Sequence, residues 1–169
     1  MLPDFRVRQR DYLLEISRAI SQELDLDKLL ERILQISLEM LAGQAGLIAL
    51  RNTEGWQIRV SSGLPPAFLH FLEPKFAQIT EEQDPEDSEL KEINRLLGSY
   101  TQAITMGRLS SVGLPLITGQ RILGVIFVFR EYAEFSSNDR TLLASFADQA
   151  AIAVQNAQLY TQVENDRRR

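Results

Sequence analysis

Ser110-Ser-Val-Gly-Leu-Pro-Leu-Ile-Thr118, the link Gly119-Gln120, and Arg121-Ile-Leu-Gly-Val-Ile-Phe-Val-Phe-Arg130 decide the fold class. Two runs of strand-forming residues are joined by two residues, and the glycine in the link can take positive φ, which predicts an antiparallel hairpin. From Ile122 to Phe129 every position is apolar, so both faces of the sheet are expected to be covered there. The sheet therefore lies inside the protein rather than on its surface.

Upstream, the pattern repeats. Gly46–Leu50 and Trp56–Ser62 read as strands joined by Asn52-Thr-Glu-Gly55, and Ser62-Gly63-Leu64-Pro65-Pro66 ends the second. Two helices precede them. Phe5 to Leu24 carries Tyr12, Leu13, Ile16, Ala19 and Ile20 at helical spacing. The next has Asp25 or Asp27 as cap, an apolar stripe of Leu29, Leu30, Ile33, Ile36, Met40 and Leu41, and Gly43 as its stop. Ala67 to Phe76 is a short helix bearing Phe68, Leu69 and Leu72, with Pro74 in its last turn. Thr80 to Glu92 holds seven acidic residues against Lys91, a solvated run. It leads into a further helical stripe of Leu90, Ile93, Leu97 and Tyr100. Ser136 to Asn138 caps a long final helix striped by Leu142, Leu143, Phe146, Ala150, Ala153, Ala157 and Tyr160. Strand pairs with hairpin links, flanked by helices, make an α+β fold with an antiparallel sheet.

Composition narrows the chemistry. The 169 residues include no cysteine and one histidine, with a net charge of −5. Thiolate nucleophiles, zinc knuckles, iron–sulfur clusters and cysteine-linked cofactors are excluded, and a histidine cluster for a metal is absent. The acidic balance argues against nucleic acid as a partner. The N-terminus lacks a signal-peptide core, and the Ile122–Phe129 run falls far short of the ~20 residues that span a bilayer. Cytoplasm is the expected compartment, without direct membrane insertion. There is no GxxxxGK[ST] phosphate loop and no GxGxxG fingerprint. Gly107-Arg-Leu-Ser-Ser111 is not a nucleophile elbow, because serine stands where the final glycine belongs. No catalytic set is expected, and no metal site. His70, between Leu69 and Phe71, reads as packing or surface.

The alanines at 150, 153 and 157 follow a three-then-four spacing that lets another helix approach closely. One reading is packing on the protein's own sheet; the other is a parallel homodimer through the terminal helices. The dimer expectation takes Leu13, Ile16, Ile20, Phe146, Ala150, Ala153, Ala157 and Tyr160 as its interface. The helical rhythm continues into Arg167-Arg168-Arg169 without a glycine or proline stop, the pattern of a piece cut from a longer protein.

Ser111-Val-Gly-Leu-Pro-Leu116, Gly119, Ile122-Leu-Gly-Val-Ile126, Phe135-Ser-Ser-Asn-Asp139, Leu142-Leu143 and Ala147-Asp-Gln-Ala-Ala-Ile-Ala-Val-Gln-Asn-Ala-Gln-Leu-Tyr160 together resemble a GAF domain. Asp25-Leu-Asp-Lys-Leu-Leu30 and Ser61-Ser-Gly-Leu-Pro65 are similar to its earlier part. The resemblance implies a central antiparallel sheet of about six strands, with N- and C-terminal helices on one face and short helices and loops over a ligand pocket on the other. It implies residues 1–24 as an N-terminal signalling and dimerisation helix, 25–160 as the domain, and 161–169 as the start of a linker helix to an output domain.

The functional expectation is a non-catalytic sensor of a bacterial-type signalling protein, a histidine kinase first, that binds a small molecule, dimerises, or does both. The alternatives are a ligand-free dimerisation spacer and the same module in a diguanylate cyclase or transcriptional regulator. A free-standing sulfoxide reductase of this family would need cysteines. Covalent bilin and cysteine-ligated iron are excluded for the same reason, and haem would rest on His70 alone. The family's cyclic-nucleotide signature is matched at Phe135 and Asp139, but Arg140 replaces its glutamate and no Asn-Lys pair precedes. No cofactor is therefore assigned.

Strand alternation places Ile48, Leu50, Ile58, Val60, Val112, Leu114 and Leu116 toward the long helices. The other parity, Ala49, Arg59, Ser61, Ser111, Gly113 and Phe127, then faces the pocket, roofed by Phe68, Leu72, Leu90, Ile93, Leu97 and Tyr100. Arg59 with Ser61 and Ser111 favours a small, partly polar or anionic ligand.

Overall fold

The computed structural model describes residues 5–52, 55–77, 95, 109–119, 121–131 and 134–168. In chain order they form α1 (Phe5–Ser21), α2 (Leu26–Leu41), β1 (Ala45–Asn52), β2 (Gly55–Ser62), α3 (Pro66–Ala77), β3 (Leu109–Thr118), β4 (Arg121–Glu131) and α4 (Ser137–Arg167). The strands make an antiparallel sheet in the order β2-β1-β4-β3, so the two sequence hairpins are joined through β1 and β4 at its centre. The fold is α+β, as expected. Four strands lie among the described residues, against an expectation of about six for the whole chain.

Local chemistry sets the element ends. Asp25 caps α2 by accepting the Lys28 N–H at 3.1 Å. Ser136 and Asp139 form a reciprocal capping box at the start of α4. The stop of α2 differs from expectation. Ala42, at φ 51°, takes the left-handed position, and Gly43 follows it, donating its N–H to the Leu38 carbonyl at 2.8 Å. Gly43 is required for space instead: a Cβ there would stand 2.5 Å from Val128 Cγ1. The β3–β4 link has Gly119 at φ +61°, as the hairpin reading demands.

Two cores lie on opposite faces of the sheet. On the first, α2 buries Leu29, Leu30, Ile33, Leu34, Leu38 and Leu41, and α4 buries Leu143, Phe146, Ala147, Ala150, Ala151, Ala153, Val154 and Ala157. These meet Ile48, Leu50, Val112, Leu116, Ile126 and Val128 of the sheet, with Ile16 and Ile20 of α1 alongside. Ile36 and Met40 sit at the edge of this stripe rather than in it. Full burial of each large apolar side chain contributes about 1.5–3 kcal/mol. Ser37 is fully buried there and satisfies its hydroxyl on the Ile33 carbonyl at 2.8 Å.

The alanine seam of α4 is thus filled by the protein's own helices and sheet. This bears on the residues expected at a dimer interface, not on dimerisation itself. Ile16, Ile20, Phe146, Ala150, Ala153 and Ala157 are buried in the chain's own core, and Leu13 is partly buried against it; of that set Tyr160 is exposed. The large apolar residues left outside on α4 are Ile152, Leu159, Tyr160 and Val163, with Leu14 on α1.

Three contacts fix the helix directions. Ser17 of α1 donates to Gln149 of α4, and Leu24 and Asp25, just beyond α1, share a cleft with Tyr160 and Glu164. Residue numbers therefore rise together along α1 and α4, and these helices run the same way. Arg130 links the Leu41 carbonyl to Asp139, placing the end of α2 beside the start of α4, so α2 runs opposite.

Candidate functional site

The face of the sheet turned away from α2 and α4 carries Ala45, Leu47, Ala49, Trp56, Ile122, Val125, Phe127 and Phe129, all buried. Helix α3 covers it with Leu72 and Phe76, and Phe68 and Leu64 are partly buried against the same cluster. Phe68 meets Phe129 edge-on, with ring centroids 6.4 Å apart at 85°, the arrangement that aromatic quadrupoles favour.

Most of the residues expected on this face are on it. Ala49 is fully buried and pairs with Val125. Phe127 is buried and pairs with Gly113, while Ser111 pairs with Phe129 and Ser61 with Leu47. Cross-strand partners share a face, so both serines lie on this side as polar points at the margin of an apolar floor. Phe68 and Leu72 come from α3 as the roof. The other expected roof residues, Leu90, Ile93, Leu97 and Tyr100, lie outside the described residues, as does the acidic run of Thr80–Glu92.

Gly113 has a steric role. A Cβ there would lie 2.2 Å from Phe127 Cε1, because the Phe127 ring sits directly over the glycine backbone. The aromatic ring fills the space that a side chain at position 113 would take.

Arg59 and Ile58 are the corrections. The β1–β2 register passes from Ile48↔Val60 to Ala49↔Ile58, so Arg59 is the extra residue of a β-bulge. The bulge reverses the facing of the residues before it. Ile58, expected toward the long helices, packs with the α3-side core, while Val60 packs with the other. Arg59 turns to the start of α2 instead, where Nη2 lies 3.0 Å from Asp27 Oδ1. Arg59 and Asp27 line an open cleft of about 450 Å³ between α2 and the last turns of α4. The guanidinium is therefore not part of the α3-covered face.

His70 is exposed on α3, so a haem held from that histidine against the sheet has no support in its placement. Among the described residues no group of three or more His, Cys, Asp or Glu side chains is disposed to hold a metal ion. Sequence reasoning missed Ala45, Leu47, Trp56, Ile122, Val125 and Phe129 on the sheet, and Leu64 and Phe76 beside them. Phe129 carries the same parity as Phe127, so the alternation that found one contained the other.

Beyond the sheet face, Arg130 joins several groups. It donates to the Leu41 carbonyl at 2.9 Å and the Glu134 carbonyl at 2.6 Å, pairs with Asp139 at 3.2 Å, and lies 4.4 Å over the Phe135 ring. The Asp139 carboxyl is held below the ordinary carboxylate range, first by the Ser136 backbone N–H; partial burial opposes this, and the Ser136 hydroxyl and Arg130 reinforce it.

Among the described residues no helix is long and apolar enough to cross a membrane. The family model described as GAF domain matches residues 25–154. Among solved structures, the GAF domain/HD domain protein from Geobacter sulfurreducens is similar at 19% identity and TM-score 0.60, with 83% of this chain and 98% of that chain covered. A domain of a putative two-component sensor histidine kinase from Sinorhizobium meliloti 1021 is similar at 16% identity and TM-score 0.57, covering 84% and 96%. A phycoerythrobilin-bound GAF domain from a cyanobacterial phytochrome is similar at 17% identity and TM-score 0.58, covering 90% and 96%. No curated protein matches the sequence. With the family model spanning most of the chain and the same fold recurring in these structures, the chain belongs to the GAF domain family.

Proposed function

We propose that this chain is a non-catalytic sensory module of a bacterial-type signalling protein, a histidine kinase first. It takes a small molecule between the sheet and α3 and relays the change through α1 and α4 to an output domain. The observation that carries this reading is the common direction of α1 and α4. Chain entering through α1 and chain leaving through α4 lie at opposite ends of the domain, with the α3-covered face between them. The occurrence of similar structures in a sensor kinase and a chemotaxis protein supports it. A ligand shifts such a relay only by its difference in affinity for two poses. The module is read as homodimeric and non-membrane-inserted, with the outer side of α4, at Ile152, Leu159 and Val163, replacing the alanine seam as the dimer face.

One observation favours a second reading, a ligand-free spacer. The Phe127 ring already fills the space over Gly113, and Leu72 and Phe76 are almost wholly buried against the sheet. Thermal-shift screening against nucleotides, amino acids, nitrate and haem separates the two. A compound at 100 times its Kd adds about 2.7 kcal/mol, a rise of about 5–10 °C in a chain of this size. The sensor reading expects at least one such compound; uniform failure across the panel favours the spacer.

A further inference from the structure

The outer side of α4 carries a pattern that its buried seam does not. Ile152, Asn156, Leu159 and Val163 follow one another at steps of four, three and four residues, and all four are exposed. The three apolar ones are each more than half exposed, at 52%, 53% and 54%. Ala150, Ala153, Val154 and Ala157 of the same stretch are buried in the chain's own core. Alternating steps of four and three make the seven-residue repeat of a two-helix seam, whose first and fourth places, a and d, face a partner helix. Asn156 and Val163 stand at a, and Ile152 and Leu159 at d. The stripe rises about 17 Å along the helix. Polar groups close both ends. Gln149, the preceding a place, accepts from Ser17 of α1, and Asp166, the following d place, is exposed and charged.

The carboxamide decides what fits. A wholly apolar partner would bury the Asn156 amide without a hydrogen bond, at its full desolvation cost. A second α4 laid antiparallel, with the two stripes overlapping, sets Asn156 against the partner's Leu159, and that cost falls on both chains. A second α4 laid parallel and in register sets each residue against its own equivalent, the self-complementarity that a two-fold axis requires. Leu159 then meets the partner's Leu159, Val163 meets the partner's Val163, and the two Asn156 amides bond to each other, since each both donates and accepts. The flanking places agree. Gln155 falls beside the partner's Tyr160, and Gln162, an acceptor, beside the partner's Arg167, so no like charges meet there. Valine at a with leucine at d also favours two parallel strands; Ile152, at d in the first layer, departs from that preference.

We propose that Asn156 fixes the direction and register in which two copies of this chain pair: parallel, along Ile152, Asn156, Leu159 and Val163, with the two Asn156 amides bonded across the axis. This rests on the homodimer reading given above and goes beyond it, because dimerisation alone leaves direction and register open. A polar residue at a costs affinity and specifies register. In this arrangement the C-terminal ends of both α4 helices emerge side by side at one end of the dimer.

The test combines sedimentation equilibrium with oxidative cross-linking of the full chain, which has no cysteine of its own. Val163→Cys reports parallel, in-register pairing by a disulfide to its own equivalent. A mixture of Ile152→Cys and Val163→Cys chains reports antiparallel pairing by a mixed 152–163 disulfide. Both are measured with Asn156 and with Asn156→Leu. All three positions are exposed, so the fold is retained, and an unchanged urea midpoint checks this. With Asn156, the 163–163 disulfide should exceed the mixed one by tenfold or more. With Asn156→Leu, the dimer should tighten about tenfold, and the mixed disulfide should rise to within about twofold of the other. A mixed disulfide that equals or exceeds the 163–163 product with Asn156 present would overturn the parallel register. An Asn156→Leu chain that pairs no more tightly, or that stays exclusively parallel, would overturn the role of Asn156. A parent chain monomeric at millimolar concentration would instead remove the homodimer reading, and this inference with it.

Discussion

Arg130 Nη2 stands 3.2 Å from Asp139 Oδ2, and this pair ties the end of β4 to the first turn of α4. Both groups are largely shielded, with 16% and 27% of their side-chain surfaces exposed. The same guanidinium holds the last turn of α2 through the Leu41 carbonyl. One side chain thus joins both long helices of the first core to the central strand pair.

Replacing Arg130 by methionine keeps the stem but removes the guanidinium donor from the Leu41 and Glu134 carbonyls and from the Asp139 carboxylate, which keeps only the Ser136 donors. The expected loss is about 2–4 kcal/mol, read as a lower midpoint in urea unfolding. Asp139→Asn should cost less, about 1 kcal/mol, because an amide oxygen can still accept the Ser136 N–H.

The Asp139 carboxyl gives this pair a pH signature. Its folded pKa is lowered, chiefly by the Ser136 backbone N–H, from an ordinary value of 3.8. A group depressed in the folded state adds stability above its unfolded pKa and loses it as pH falls through the folded value. The stability gap between wild type and Asp139→Asn should therefore be full at pH 7 and shrink below about pH 4. Urea midpoints at pH 7 and pH 3 measure it; a constant gap would show that the carboxylate charge contributes nothing.

Gly113 and Phe127 should behave as a coupled pair. Gly113→Ala forces the ring to move and should cost about 1–3 kcal/mol. In a Phe127→Leu background the penalty should fall below about 0.5 kcal/mol, since the ring is the obstacle. A double-mutant cycle by chemical unfolding reads the coupling directly.

The Arg59–Asp27 pair should matter little. Asp27 is 75% exposed, and pairs of this kind typically contribute between 0 and 1 kcal/mol. Arg59→Ala should shift the melting temperature by no more than a few degrees. It should leave binding at the α3-covered face unchanged, because the bulge aims this side chain elsewhere.

Much of this was legible in the sequence because it is local. Asp25 and Ser136 bond to amides three residues away, and Gly119 supplies its own positive φ. What escaped depends on partners distant in sequence. The bulge that diverts Arg59 exists only in the register of β2 against β1, and a strict alternation cannot contain it. The same holds at Leu123, the extra residue where the β3–β4 register passes from Leu116↔Gly124 to Ile117↔Ile122. Ala42 takes the helix-ending conformation because Gly43 is wanted for close approach to Val128, a contact 85 residues away in the chain. The alanine seam of α4 misled for a different reason. Small residues at three-then-four spacing record only that something packs closely, and the chain's own helices and sheet satisfy that as well as a second copy would.

Substitutions on the two sides of α4 should separate these cases. Ala153→Leu intrudes into a buried position and should destabilise the fold by about 1–3 kcal/mol. Ile152→Glu with Leu159→Glu changes only exposed positions and should leave the fold within about 0.5 kcal/mol of wild type. Under the proposed dimer, sedimentation equilibrium should show the parent chain as a dimer and the latter variant as a monomer.

The relay itself is most directly tested by electron–electron dipolar spectroscopy on a spin label at Asp166→Cys. The sequence has no other cysteine, so labelling is confined to the exposed end of α4. The account predicts a dipolar signal between two protomers, and a change in its distance distribution when a compound that raises the melting temperature is added. A chain that gives no dipolar signal at high concentration, or a distribution unchanged under saturation by such a compound, would contradict it.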